Sequence, residues 1–168
     1  MANYVYRMDH DTGFAPKIKD GVCTLSGCKS QAKNGRRNIE ELAEKGSWVI
    51  GIGGNNTAKP NMLIYAMEVE ENILYSKFKK RDPRHYSPSE EPKSENHVLV
   101  SKKFYYFKDN ALELSDTLRG IIIRGPWFKY VSDEDIDKLK KFLSERYKHY
   151  GVFGEPNNPR ASKKCGKC

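Results

Sequence analysis

A carboxylate heads the residues of this chain that could do chemistry: Asp11 lies in the loop His10-Asp11-Thr12-Gly13-Phe14-Ala15-Pro16. A carboxylate held in such a loop can accept from the amino group of a nucleobase or act as a general base. Aspartate also starts turns, so the residues alone leave both readings open. Two thiols follow, Cys23 and Cys28. Either could be a nucleophile working with Asp11, and either could be a small buried hydrophobe. Together with Cys165 and Cys168 they could supply four thiolates to zinc, the pairs being spaced C-x4-C and C-x2-C. No chelating loop surrounds the first pair and the second sits in a polar tail, so no metal is expected.

Flat side chains are plentiful. Trp48, Tyr65, Tyr105, Tyr106, Trp127 and Phe128 lie in or beside segments that read as strands. Stacking on a base is worth about 1–3 kcal/mol per ring, although aromatic residues in strands also fill cores. Lys29, Lys102, Lys103 and Arg124 could hold phosphates. The run Gly51-Ile52-Gly53-Gly54-Asn55-Asn56 superficially suggests a phosphate loop. It leads through Pro60 into another strand where a phosphate loop needs a helix, so a hairpin is expected and no cofactor is implied.

Composition sets the frame for these residues. The chain has 168 residues, 38% hydrophobic and 31% charged, which suits one globular domain. Thirty Lys and Arg against twenty-two Asp and Glu leave a formal charge of +8. The resulting pI near 9.2 favours a polyanionic partner, a nucleic acid or a nucleotide. No apolar run approaches the roughly 18 residues of a membrane span, and the first residues alternate like a strand, so a cytoplasmic protein without membrane contact is expected.

The positioning elements read as follows. Residues 3–8 alternate as a strand, and a glycine- and proline-bearing loop runs from His10 to about Cys28. Ile39, Leu42 and Ala43 fall at helical spacing within 36–45, closed by Gly46. Residues 48–53 and 62–71 read as strands, with Leu63, Tyr65, Met67 and Val69 on one face. Regular structure is expected to lapse between Lys77 and Asn96. Val98–Ser101, Phe104–Phe107 and Ile121–Ile123 read as strands. Ser132 caps a helix whose core face is Ile136, Leu139, Phe142 and Leu143, ending at Gly151.

The segments Asp11-Thr12-Gly13-Phe14-Ala15-Pro16, Cys23-Thr24-Leu25, Cys28-Lys29 and Gly46-Ser47-Trp48-Val49-Ile50-Gly51 resemble the second class of nucleotide modification associated domains. The resemblance covers most of the chain and implies a component of phage and prokaryotic systems that make or handle modified bases. Ser47 departs from it, standing where an acidic residue is expected. The order of helix, Gly46–Gly51, turn, Ile64–Val69, Arg124-Gly125 and final helix is similar to PUA-like modules such as the ASCH, EVE and YTH domains. That second resemblance implies an aromatic pocket for RNA or a flipped base; it is an analogy of fold, which does not dictate function.

The expectation is therefore an α+β protein with a PUA-like mixed β-barrel and flanking helices. One domain would span 1–156, with a mobile insertion at about 79–96 and a basic tail at 157–168. Trp48, Tyr65 and Trp127 would surround a base and Asp11 would touch its edge. The alternatives are an enzyme acting on a base or nucleotide through Asp11 with Cys23 or Cys28, and a protein-interaction domain.

Overall fold

The computed structural model describes residues 1–9, 15–27, 38–55, 57, 59–125 and 128–155. Its first half holds β1 (Asn3–Met8), β2 (Lys17–Lys19), β3 (Val22–Leu25), the single turn α1 (Ile39–Leu42), β4 (Trp48–Gly53), β5 (Leu63–Glu68) and β6 (Glu71–Leu74). The second half holds α2 (Tyr75–Arg81), β7 (His97–Ser101), β8 (Phe104–Tyr106), 3-10 turns at Lys108–Asn110 and Asp116–Ile121, β9 (Phe128–Val131), α3 (Asp133–Ser144) and β10 (Gly151–Val152).

The strands form two sheets, and the class is α+β. A six-stranded mixed sheet has the order β10-β8-β5-β4-β1-β9, and a four-stranded antiparallel sheet has the order β2-β3-β7-β6. Between them lies an inner core that joins Tyr4, Tyr6, Met8 and Met67 of the larger sheet to Cys23, Leu25 and Leu99 of the smaller. The opposite face of the larger sheet packs Val5, Trp48, Ile50 and Ile52 against Ile136, Leu139 and Leu143 of α3, forming an outer core. A third cluster packs Tyr75 and Phe78 of α2 on Val98 and Val100 of β7. Both sheets are thus covered on both faces, which explains why β4 is buried along its whole length and shows no alternation.

Local chemistry explains several elements. Ser132 Oγ accepts from the Asp135 amide at 3.1 Å, and Asp133, Glu134 and Asp135 sit at the positive end of α3. That helix stops at Ser144, well before the expected stop at Gly151, which instead opens β10. The expected loop from His10 to Cys28 contains the β2–β3 hairpin. Its turn is Asp20-Gly21, with φ of 50° and 74°, the conformation of a two-residue hairpin turn. β5 carries one extra residue opposite Gly51–Ile52, so Leu63 faces the outer core while Tyr65, Met67 and Val69 face the inner one. The four do not share a face. Gly51 is needed because a Cβ there would stand 2.4 Å from the Tyr65 ring and 2.5 Å from Met8 Sδ. Ile121–Ile123 forms no strand: the 3-10 turn ends at Ile121, and Leu118 and Ile121 are buried in the outer core.

Where regular structure was expected to lapse, α2 runs to Arg81, and His85 and Tyr86 are buried beyond it at 2% and 4% exposure. Thr24 Oγ1 lies 2.7 Å from the Tyr86 hydroxyl and 3.0 Å from His85 Nε2. Burial drives the His85 pKa down from 6.5 to about 4, opposed by Asp82 and reinforced by Lys17 and Lys19. Burial also raises the Tyr86 phenol. A histidine whose folded pKa lies below its unfolded value binds fewer protons when folded, so its contribution is intact above pH 6.5 and is lost as pH falls toward 4. Between pH 7 and 5 the loss from this group is about 2 kcal/mol. The urea midpoint should fall across that interval in the parent and be flatter in His85→Leu; equal pH dependence of the two would refute the assignment.

Candidate functional site

The ends of β1 and β4 and the starts of β5 and β9 meet at one rim of the larger sheet. Along β1, Val5 turns toward α3, and Arg7, two residues on, takes the same side. Lys129 of β9 pairs with Val5 and shares that side. Facing them is the strap that carries the 3-10 turn Asp116–Ile121, anchored by Leu118 and Ile121 in the outer core. From below, the β4–β5 connection presses on the end of β1. The Gly54 amide donates to Met8 O at 2.8 Å, and a Cβ at Gly54 would meet Met8 O and Asp9 Oδ1 at 2.9 Å.

These pieces enclose an open cleft of about 770 Å³ lined by Arg7, Asn55, Asn61, Leu114, Asp116, Arg119, Ile122, Ile123, Arg124 and Lys129. Four cations face one carboxylate. Asp116 pairs with Arg119 at 2.7 Å, with both side chains largely exposed, so solvent screens the pair and leaves it weak. Arg7 and Arg124 make no ion pair among the described residues. Guanidinium groups bind phosphate through two parallel hydrogen bonds, and a carboxamide offers one acceptor and two donors to a base edge.

A family model for the nucleotide modification associated domain 2 matches residues 1–93 and 77–163. The chain belongs to this family. The nucleotide modification associated domain is also similar to the crystal structure of ASCH from Zymomonas mobilis, at 12% identity and a TM-score of 0.46, covering 89% of this chain and 97% of that one. A point mutant of the same ASCH is similar at 12% identity and a TM-score of 0.43, covering 83% and 96%. No curated protein matches the chain. Among the described residues no helix is long and apolar enough to cross a membrane.

Within this nucleotide modification associated domain the residues expected to form the site are dispersed. Trp48 is 3% exposed in the outer core, with Lys140 Nζ 5.6 Å from its ring centroid. Tyr65 is fully buried in the inner core, its hydroxyl 2.7 Å from that of Tyr6. The two rings lie on opposite faces of one sheet, so they cannot share a base; this corrects the expected pocket. Tyr106 is buried in the inner core, and Tyr105 in the outer core among Phe107, Tyr147 and Phe153, with its ring 5.0 Å from that of Tyr150. Phe128 packs edge-on against Tyr4.

The cations separate as well. Lys102 and Lys103 are exposed in the β7–β8 turn, beyond the Met67 end of β5, whereas the cleft lies at its Leu63 end. There the Lys102 amide donates to Glu70 Oε2 at 2.6 Å, and Lys103 Nζ lies 3.4 Å from Glu68 Oε1. Cys23 is sealed between the sheets with Sγ 3.9 Å from Met67 Sδ, so no substrate reaches this thiol without parting the core. Arg124 alone of the described candidates lines the cleft. Asp11, Cys28, Lys29 and Trp127 lie outside the described residues, as does the tail with Cys165 and Cys168. In the sequence Asp11 follows Asp9 by two positions, and Trp127 stands between Arg124 and Lys129.

The sequence reading missed Arg7, Asn55, Asn61, Arg119 and Lys129. Alternation in β1 could have revealed Arg7, a charged residue in phase with buried Val5. No local pattern marks the others, which are gathered by strand order and by the strap.

Proposed function

We propose that this domain is the nucleic-acid-binding module of a base-modification system and that the cleft is where it binds. The observation that carries this reading is the convergence of three arginines and a lysine on one concave surface beside two exposed carboxamides. Arg7, Arg119 and Arg124 hold phosphates, and Asn55 and Asn61 meet the polar edge of a base. Trp127 supplies the stacking plane and Asp11 a further acceptor at the base edge. The volume of about 770 Å³ falls within the size range of ligand pockets and suits a nucleotide. A duplex keeps its bases inside, so a base reaches such a cleft from a single strand or by extrusion. Family membership supports the same partner class.

The test is binding to single-stranded DNA and RNA oligonucleotides, with modified and unmodified bases, across a salt series. Three phosphate contacts on a single strand give a slope of about −2 in log K against log salt. The expected outcome is that slope together with preference for one base. Trp127→Ala should erase the preference while leaving the melting temperature of the parent. Salt-insensitive binding, no binding to any oligonucleotide, or a Trp127→Ala protein that fails to fold would overturn the proposal.

A further inference from the structure

We infer that Lys129, although it lines the cleft, is a positioning residue for the phosphate-binding arginines and does not itself contact phosphate. The inference rests on the binding mode proposed above. Its ammonium donates to the backbone carbonyls of Gly120 and Ile122, the latter at 3.0 Å. These carbonyls lie where the 3-10 turn Asp116–Ile121 ends, and turn-terminal carbonyls lack partners within the turn and carry partial negative charge. Two of the three donors of the ammonium are therefore spent on the strap. The charge is offset by backbone dipoles, and a phosphate would have to compete with both carbonyls.

The two carbonyls lie between the cations that matter. Arg119 directly precedes Gly120, and Arg124 follows Ile122 by two residues. Among the described residues the strap is otherwise fixed on its core side: Leu118, Ile121 and Ile123 are buried, and Gly120 approaches α3 so closely that a Cβ there would be 3.0 Å from Asp135 Oδ2. On the cleft side the Lys129 head group is its tie. β9 is held in register by β1, so Lys129 transmits the position of the sheet to the strap and sets where both guanidiniums stand relative to Arg7. The arginine fork is directional, and a small displacement of the strap costs its paired hydrogen bonds.

The experiment measures affinity for a single-stranded oligonucleotide across a salt series for the full chain, Lys129→Met, Lys129→Arg, Arg119→Ala and Arg124→Ala, each well below its melting temperature. A phosphate ligand and a positioning residue differ in the salt slope. Loss of a phosphate contact lowers the slope magnitude by about 0.7 on a single strand. Lys129→Met is expected to weaken binding by about tenfold with the parent slope, and Lys129→Arg, which keeps a charged multi-donor head, to restore most of the loss. Arg119→Ala and Arg124→Ala should each lower the slope. A Lys129→Met slope that drops like those of the arginine variants would make Lys129 a phosphate ligand and overturn the inference. Unchanged affinity would show that it positions nothing. If Lys129→Met does not fold, Lys129→Gln, which keeps a donor for the carbonyls and loses the charge, decides the same question: the parent slope supports positioning, and a slope smaller by about 0.7 overturns it. Arginine variants with the parent slope would instead sink the cleft as the binding site, a separate failure.

Discussion

Replacing Trp48 with alanine is expected to destabilise the fold by about 3–5 kcal/mol, the range for truncating a fully packed tryptophan. The indole is buried in the outer core beneath α3, and its removal leaves a cavity bounded by a sheet and a helix that cannot both close in. Domains of this size are stable by about 5–15 kcal/mol, so the variant should be marginal at 37 °C, with a urea midpoint far below that of the parent. The measurement distinguishes two roles for one residue. A base-stacking Trp48 would cost affinity and spare the midpoint; a core Trp48 costs the midpoint. Wild-type stability together with lost binding would return Trp48 to the site.

The second large effect is on binding. Arg119→Ala combined with Arg124→Ala should reduce the salt slope on single-stranded oligonucleotides by about 1.4, twice the 0.7 expected per phosphate contact. At 0.1 M salt that slope change corresponds to roughly 25-fold in affinity. Both side chains project from the exposed side of the strap, while Leu118 and Ile121 anchor its other side, so the melting temperature should stay near that of the parent. The Asp116–Arg119 pair is solvent-screened and its loss is worth little. An unchanged slope would mean that the oligonucleotide passes elsewhere.

How far the sequence reached depends on how local each signal is. Ser132 and the acids after it define the start of α3 through one turn of chain, and the structure matches that start closely. The strand at 48–53 was equally plain from composition, but which way Trp48 points was not. β4 is buried on both faces, so alternation carries no information, and the extra residue in β5 inverts the phase between Leu63 and Tyr65. Asp20-Gly21 between two alternating segments is a local signal for the β2–β3 hairpin, obscured by Gly13, Pro16 and Gly27 around it. Ile121–Ile123 shows the opposite trap, since a short apolar run fits a strand and a buried turn alike. The cleft was the least legible feature. Arg7, Asn55, Asn61, Arg119 and Arg124 come from three separate segments, brought together by the parallel pairing of β1 with β4 and by a strap packed on α3.

That geometry also separates other residues expected at the site from the cleft. Tyr65 and Cys23 serve the core between the sheets, and Lys102 and Lys103 sit at the far end of β5 beside Glu68 and Glu70. A nucleic acid bound at the cleft leaves that end untouched. Backbone amide shifts recorded while a single-stranded oligonucleotide is titrated into the isotope-labelled protein test this most directly. Perturbations should gather at Arg7–Asp9, Asn55, Asn61, Arg119–Gly125 and Phe128–Lys129, with Lys102 through Tyr106 unmoved. Shifts centred on Lys102 and Lys103, with the cleft silent, would contradict the account.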